Sequence, residues 1–249
     1  MPFPKWQKMV LETLSWFEVW MHGLEPIKNQ IIQELESLRE TRKEPIAVAS
    51  IGCGGMELER QVIYQLVRKR FKFPLIFIGI DYSPASFEVA NAKFKNIEAK
   101  GLLQIKTISH LGTEELSALK ARAASQRFTV VLLKADAFDL EVLPQDSLDL
   151  VYHTRLRHHL SAAEGRKLDK LTAHLAPKLV ELDDLFTIRG TIITSIFAWR
   201  FPAVLNGAIF SYLRDCCKKE VTSQQKLGCN LGLHGKIFSC YLRVCAKAG

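Results

Sequence analysis

Short apolar runs alternate with amphipathic stretches along most of the chain. Each run has the length and composition of a buried strand. The runs cover residues 46–51, 75–80, 129–133 and 148–152. Strands that are hydrophobic throughout and separated by helices are typical of a parallel sheet covered on both faces. The pattern therefore predicts an α/β fold.

Helical spacing of apolar residues fills the intervals between these runs. Leu58, Val62 and Leu66 form one stripe directly after the first run. Ser83 and Pro84 are typical of a helix start, so we expect the Ser83 side chain to cap the next helix. Residues 113–126 predict a further helix before the third run.

The first forty residues carry two more helical stripes, the second of which begins near Pro26. We expect residues 1–44 to form an N-terminal helical cap, and residues 45–249 to form one domain that packs with it as a unit. The apolar positions of the two stripes are Trp6, Val10, Leu14, Phe17 and Met21, then Ile27, Ile31, Leu35 and Leu38.

The last third of the chain has a less regular pattern. It predicts a helix over 161–175, a strand over 191–197, an apolar helix over 202–214 and a terminal strand over 236–246. No run reaches the roughly 18 apolar residues that a membrane span requires. Arg200 interrupts the apolar stretch around it, which is compatible with contact at a membrane surface but not with a span.

Charge and cysteine content limit the possible binding partners and the cellular location. The formal net charge of +8 indicates either an anionic partner or a solvated basic surface. No nucleic-acid module is recognisable, which favours the solvated surface. The six cysteines lack Cys-x-x-Cys pairs and zinc spacing, and the opening residues lack a secretory pattern. We therefore expect reduced thiols and a cytoplasmic location.

The most informative segment is the glycine-rich loop over residues 50–57, which reads Ser-Ile-Gly-Cys-Gly-Gly-Met-Glu. Glycines between a strand and a helix allow a tight turn and a close approach to a ligand. The dinucleotide fingerprint is disfavoured because its sixth position, counted from Gly52, is Glu57. A P-loop is disfavoured because no Gly-Lys-Ser/Thr follows. A tight turn without a ligand stays open.

This loop resembles the first motif of the class I S-adenosylmethionine-dependent methyltransferases, which the chain matches in its Gly-Cys-Gly core. It departs from the motif at Ser50, where an acid is usual, and at Met56, where a third glycine is common. The resemblance implies S-adenosylmethionine as cofactor and a loop site that consists of Gly52, Cys53 and Gly54.

The segment over residues 79–84, Gly-Ile-Asp-Tyr-Ser-Pro, resembles the second motif of the same family. A carboxylate at the end of this strand can accept hydrogen bonds from both ribose hydroxyls. The resemblance implies that role for Asp81, with Tyr82 beside it.

Two later segments resemble the family as well. Lys134-Ala-Asp-Ala-Phe138 implies an adenine contact at Asp136 and Ala137. The segments over 146–153 and 157–160, with His153 and a His-His-Leu sequence, are similar to small-molecule methyltransferases, including those of quinone biosynthesis. The family fold is Rossmann-like, with a mostly parallel seven-stranded sheet. The interval from Asp81 to Asp136 is longer than usual for the family, which predicts an inserted helix within residues 100–127.

Methyl transfer is an in-line displacement that requires alignment and exclusion of water. A neutral acceptor also benefits from a general base, for which histidine suits neutral pH. The candidates are His153, His158 and His159; we favour His158 as the base and expect His153 near the cofactor. No cysteine or carboxylate completes a metal set with them.

We expect a small, apolar or aromatic acceptor, because aromatic residues flank the common core. Residues 192–213 include Trp199, Phe201, Phe210 and Tyr212. Two alternatives stay open. The positive charge is compatible with an RNA or protein methyltransferase, although the Asn/Asp-Pro-Pro-Tyr signature is absent. Ser50 and Met56 are compatible with a catalytically silent binding module.

Overall fold

The computed structural model describes residues 24–185 and 239–246. The predicted helix over residues 6–21 lies outside these ranges. So do the predicted strand over 191–197, the predicted helix over 202–214 and the aromatic residues within them.

Five α-helices and seven strands make up the described residues, with two short 3-10 helices. The helices are α1 (Glu25–Thr41), α2 (Glu57–Arg68), α3 (Pro84–Glu98), α4 (Thr113–Ala123) and α5 (Ala162–Leu175). The strands are β1 (Ile46–Ile51), β2 (Leu75–Asp81), β3 (Gln104–Ile108), β4 (Phe128–Lys134), β5 (Leu150–Thr154), β6 (Lys178–Leu185) and β7 (Ser239–Ala246). The 3-10 helices cover Ala137–Val142 and Arg157–His159.

The seven strands form one sheet in the order β3-β4-β2-β1-β5-β6-β7. Every neighbouring pair is parallel except β6 and β7. The predicted fold class, a Rossmann-like, mostly parallel seven-stranded sheet flanked by helices, is confirmed. The chain leaves β1 towards β2 on one side and later returns to β5 on the other. A crevice at the carboxyl ends of β1 and β5 is the expected ligand position in such a sheet.

Helices cover both faces of the sheet, and the strands between them are hydrophobic. All six residues of β1 are buried, and their side chains alternate between two clusters. Val48 and Phe77 face the cluster that includes α1, α2 and α3, whereas Ala49 and Ile78 face α4 and α5. Each fully buried aliphatic or aromatic side chain contributes about 1.5–3 kcal/mol.

Helix α1 begins with Pro26 in its first turn, as the sequence predicts. Its buried stripe joins the same cluster as Val48 and consists of Ile27, Ile31, Ile32, Leu35 and Leu38. Within the described ranges, no helix is long and apolar enough to cross a bilayer.

The fourth predicted strand begins two residues later than expected, at Leu150. Asp149 precedes it, and its carboxylate accepts a hydrogen bond from the Ala47 backbone at 2.8 Å. Arg42 pairs with the same carboxylate at 2.6 Å. The buried charge is thus compensated, and it anchors the start of β5 beside β1.

Two strands were not predicted. β3 lies within the longer segment over 100–127, ahead of the predicted helix α4, and is mostly exposed at the sheet edge. β6 carries the acidic residues Glu181 and Asp183, both buried. A strand with internal carboxylates does not have the apolar pattern of a central strand, so the residues of β6 carry no strand signal.

Candidate functional site

The loop after β1 folds back onto β2. The backbone N–H groups of Gly52 and Cys53 both donate to the Ile80 carbonyl, at 2.9 and 3.1 Å. Gly52 and Gly54 have φ angles of 66° and 51°, in the left-handed region that glycine adopts without strain. A Cβ on Gly52 would also lie 3.1 Å from Leu156, so position 52 favours glycine on two grounds.

Asp81 ends β2 beside this loop. Its Oδ2 accepts a hydrogen bond from the Gly54 backbone N–H at 2.9 Å, and its Oδ1 accepts one from the Ser83 N–H at 2.8 Å. A carboxylate has about four lone-pair positions, so each oxygen keeps one for a ligand. Two donors on neighbouring atoms, as in a ribose diol, fit this arrangement.

The prediction that Ser83 caps α3 with its side chain was wrong. Ser83 is the N-cap residue, but its side chain makes no capping hydrogen bond. The Asp81 carboxylate instead accepts the Ser83 N–H, and α3 begins with Pro84, which has no N–H to satisfy. Asp81 therefore stabilises both the loop and the start of α3.

Asp136 follows β4 and caps the first 3-10 helix. Its Oδ1 accepts from the Phe138 N–H at 2.9 Å, while its own N–H donates to Asp139 at 3.1 Å. Lys167 lies 4.1 Å from the centre of the Phe138 ring, a cation–π contact that holds the ring in place. The segment after β4 is thus fixed by its own hydrogen bonds.

These segments surround a cavity of about 500 Å³. Six of the predicted cofactor residues line it: Gly52, Gly54, Asp81, Tyr82, Asp136 and Ala137. The other lining residues are Ile51, Ile80, Ser83, Ser86, Ala135, Phe138, Arg155, Leu156, His159, Leu160, Glu164 and Leu168. Acidic groups lie at the ends of β2 and β4, and apolar side chains form much of the wall between them.

Cys53 and His153, also predicted to contact the cofactor, are not among the residues that line the cavity. The Cys53 thiol packs beneath the loop, where a Cβ on Gly79 would lie 2.9 Å from its Sγ. Burial, followed by the charges of Glu59 and Asp81, raises the pKa of this thiol well above its usual value. The Cys53 thiol therefore stays protonated at neutral pH.

His153 is fully buried in β5, opposite Ile51 of β1 and Glu181 of β6. Among the residues that the structure describes, neither ring nitrogen has a hydrogen-bond partner. Burial lowers the pKa of His153, against the opposing influence of Glu181 and Asp183. The imidazole is thus neutral, and His153 is the register partner of Ile51, which does line the cavity.

Met56 stands where the family commonly has a third glycine. It has a left-handed φ of 52° and a fully buried side chain at the start of α2. The chain therefore adopts the glycine-like backbone with a side chain that fills the space above Gly79. The loop is more crowded than a three-glycine turn, in agreement with the departure seen in the sequence.

The predicted catalytic residue His158 belongs to the second 3-10 helix, and its side chain lies outside what the structure describes. The neighbouring His159 lines the cavity. Arg157 holds this helix against α5 through two hydrogen bonds to Asp169, at 2.7 and 2.8 Å. This bidentate pair fixes the position of the backbone that carries both histidines.

Several cavity residues were not predicted from the sequence. Arg155 has a left-handed φ of 50°, and its N–H donates to Leu182 at 2.8 Å, so the chain turns sharply out of β5. Leu156, Leu160 and Leu168 supply the apolar wall. Leu160 ends the His-His-Leu sequence, but the local pattern does not distinguish a cavity wall from core packing at any of the three leucines.

Within residues 24–185 and 239–246, no group of three or more His, Cys, Asp or Glu side chains is arranged to hold a metal ion.

No protein-family model and no curated protein matches the sequence. Solved structures do. The plantazolicin methyltransferase BamL, in complex with a triazolic desmethylPZN analog and SAH, has a TM-score of 0.45 and 13% identity. That match covers 82% of this chain and 60% of BamL.

Two further matches are more remote. Magnesium protoporphyrin IX methyltransferase (ChlM) from Synechocystis PCC 6803, with bound SAM, has a TM-score of 0.36 and 12% identity, over 73% of this chain and 63% of ChlM. The bifunctional kinase-methyltransferase WbdD has a TM-score of 0.41 and 12% identity, over 63% of this chain. The chain spans only 28% of WbdD, and less than two thirds of BamL and ChlM.

Proposed function

We propose that this chain, which has the fold of the class I methyltransferases, binds S-adenosylmethionine and transfers its methyl group to a small acceptor. The observation that carries the proposal is the position of Asp81. Its carboxylate lies at the cavity, is oriented by two backbone N–H groups, and retains lone pairs for two more donors. A ribose diol would supply both.

The rest of the cavity fits an adenosyl group. Asp136 retains one oxygen beyond its capping bond, which can accept from an exocyclic amino group. Phe138, Leu156 and Leu160 offer flat or apolar contacts to a purine ring. The left-handed glycines at 52 and 54 leave space for a close backbone approach.

When bound, this cofactor would supply an electrophilic methyl group. The sulfonium sulfur that carries the methyl group would become a neutral thioether. The chain's own task is to align the acceptor, exclude water and accept a proton. The second 3-10 helix is our candidate source of the base, with His158 favoured by the sequence and His159 by its place at the cavity. An imidazole of this helix would accept the proton that the acceptor loses.

The nature of the acceptor is a proposal from the sequence alone. The aromatic residues between 192 and 213, which lie outside the described ranges, support a small apolar or aromatic acceptor. We also propose, from the sequence, a cytoplasmic protein in which residues 1–44 cap the domain.

Calorimetry with S-adenosylmethionine tests the cofactor. We expect saturable binding with one site per chain, and much weaker binding by Asp81→Ala. Radiolabelled methyl transfer to a panel of phenols, quinols and lipid-like alcohols then tests the acceptor, with His158→Gln and His159→Gln assayed in parallel. Binding without transfer to any class of acceptor would favour a silent binding module. Absence of binding would overturn the proposal.

A further inference from the structure

A buried carboxylate lies on α2, close to the glycine-rich loop but outside the cavity lining. Glu59 is only 1% exposed. The Tyr152 hydroxyl donates a hydrogen bond to its Oε1 at 2.8 Å, and Ser50 supplies a second side-chain hydrogen bond. These partners are neutral hydroxyl groups. A buried carboxylate normally has a cationic partner, because removing its charge from water is costly.

The position of Glu59 is fixed by the two strands that border the crevice. Ser50 and Tyr152 are direct partners in the register of β1 and β5. Ser50 also stands two residues before Gly52, which lines the cavity. The Glu59 carboxylate is therefore held at the point where the sheet topology opens the ligand crevice.

The charged and titratable groups around Glu59 come from each packed element. Cys53 in the loop interacts with it electrostatically, and Asp81 acts in turn on Cys53. Lys93 of α3 exerts a smaller attraction, but its ammonium forms its ion pair with Glu57, at 3.1 Å. Burial is the largest influence and raises the pKa of Glu59, against the hydrogen bonds from Ser50 and Tyr152.

We propose that Glu59 is a positioning residue for the cationic part of the cofactor, and that it loses its proton as the cofactor binds. The proposal rests on the proposed function. S-adenosylmethionine carries an ammonium and a sulfonium, and a nearby positive charge favours the ionised carboxylate. The Glu59 O–H bond breaks, its electron pair stays on the carboxylate and the proton passes to buffer.

Because proton loss from Glu59 is coupled to cofactor binding, it can be measured through the pH dependence of the affinity. If the bound state favours ionised Glu59, affinity for the cofactor must rise with pH until Glu59 is already ionised in the free protein. A displacement of the Glu59 pKa by one unit on binding corresponds to about a tenfold change in affinity. Glu57 provides the contrast, since hydrogen bonds from Arg60 and Gln61 and the charge of Lys93 lower its pKa despite burial. It is ionised before any ligand arrives.

Calorimetry of the full chain in two buffers with different ionisation enthalpies gives the number of protons released. We expect release of a fraction of a proton with S-adenosylmethionine at mildly acidic pH, falling to none as pH rises. The ligand 5′-methylthioadenosine has neither cation and should release none. Binding of S-adenosylmethionine without proton release at any pH would overturn the inference and leave the proposed function intact. No binding would overturn both.

Variants separate a charge effect from a packing effect. Glu59→Gln should abolish proton release and weaken S-adenosylmethionine binding by about tenfold, with little change for 5′-methylthioadenosine. Tyr152→Phe removes a donor to the ionised form, so it should shift the release to higher pH. Glu57→Gln is the matched buried control and should keep full release. Equal weakening of both ligands by Glu59→Gln would mean a packing role and contradict the inference; the wild-type measurement stands even if that variant fails to fold.

Discussion

The Asp81 carboxylate and the Gly54 backbone N–H are joined by a hydrogen bond of 2.9 Å, which connects the end of β2 to the loop after β1. One side chain thus holds the loop in place and presents its remaining lone pairs to the cavity. Loop geometry and ligand recognition are therefore coupled through a single residue, and substitutions here should affect both.

Asp81→Ala should reduce affinity for S-adenosylmethionine by at least roughly 10- to 100-fold, the factor for one charge-assisted hydrogen bond, because both ribose hydroxyls lose their acceptor. It should also lower stability, because the Gly54 and Ser83 N–H groups lose their acceptor. Calorimetry and urea denaturation measure the two effects. Glu114→Gln, an exposed acid at the start of α4, is the control. Unchanged affinity in Asp81→Ala would contradict the assignment of the cavity.

Met56 combines a strained backbone with a buried side chain, and two variants separate these contributions. Met56→Ala loses the packing and keeps the strain, which predicts a loss of about 2–5 kcal/mol in the free energy of unfolding. Met56→Gly loses the same packing but relieves the left-handed φ, so it should be more stable than the alanine variant by about 1 kcal/mol. Urea denaturation of both variants shows which of them is more stable. A glycine variant less stable than the alanine variant would show that the strain is negligible.

Gly79 lies in β2 beneath the loop. A Cβ at this position would lie 2.7 Å from the Sδ atom of the fully buried Met56 and 2.9 Å from Cys53 Sγ. Gly79→Ala should therefore cost about 1–3 kcal/mol of stability and displace the loop, with weaker cofactor binding. Adding Met56→Ala should recover part of both, because the two residues are in contact. Strictly additive losses in the double variant would argue against this clash.

Arg243 connects β7 to one acid on β6 and one on α5. It pairs with Glu181, which is fully buried, and with Asp169 at 2.9 Å. Arg243→Met should destabilise the protein by about 3–5 kcal/mol, because it leaves a buried charge without its main partner. Lys69→Met removes an exposed pair with Glu36 and should cost less than about 1 kcal/mol. Similar losses in the two variants would mean that Glu181 is not held as an ion.

The lowered pKa of the buried His153 leads us to expect a specific dependence of protein stability on pH. Its pKa in the folded protein lies below the ordinary value of 6.5, so the unfolded chain binds a proton first as pH falls. The free energy of unfolding should therefore decrease from pH 6.5 down to the folded pKa, by about 1.4 kcal/mol for each unit between the two.

His153→Gln should lack this decrease, while both proteins keep the loss caused by carboxylates at lower pH. Denaturation profiles at several pH values compare them. Parallel profiles above the carboxylate range would indicate that His153 titrates normally in the folded protein.

Much of the fold followed from the sequence because its strands are continuous apolar runs. The apolar pattern predicted β1, β2 and β4 nearly to the residue, and the stripe of α1 was confirmed at every position. β6 was missed for the opposite reason, since its carboxylates interrupt the run. The charge of Glu181 is compensated by Arg157 and Arg243, which are distant in the sequence.

Some features of the candidate site could likewise be predicted from the sequence, and others could not. The glycine loop, Asp81 and Asp136 could be predicted as cavity residues from the amino-acid sequence, because they lie in local motifs whose strand-to-turn context is visible in the pattern. Three features could be seen only in the folded chain. Cys53 and His153 do not line the cavity, Asp81 rather than Ser83 satisfies the start of α3, and Glu59 is buried beside Tyr152 outside the cavity lining. Local motifs fix backbone geometry, whereas the direction and charge state of a side chain depend on which distant elements pack against it.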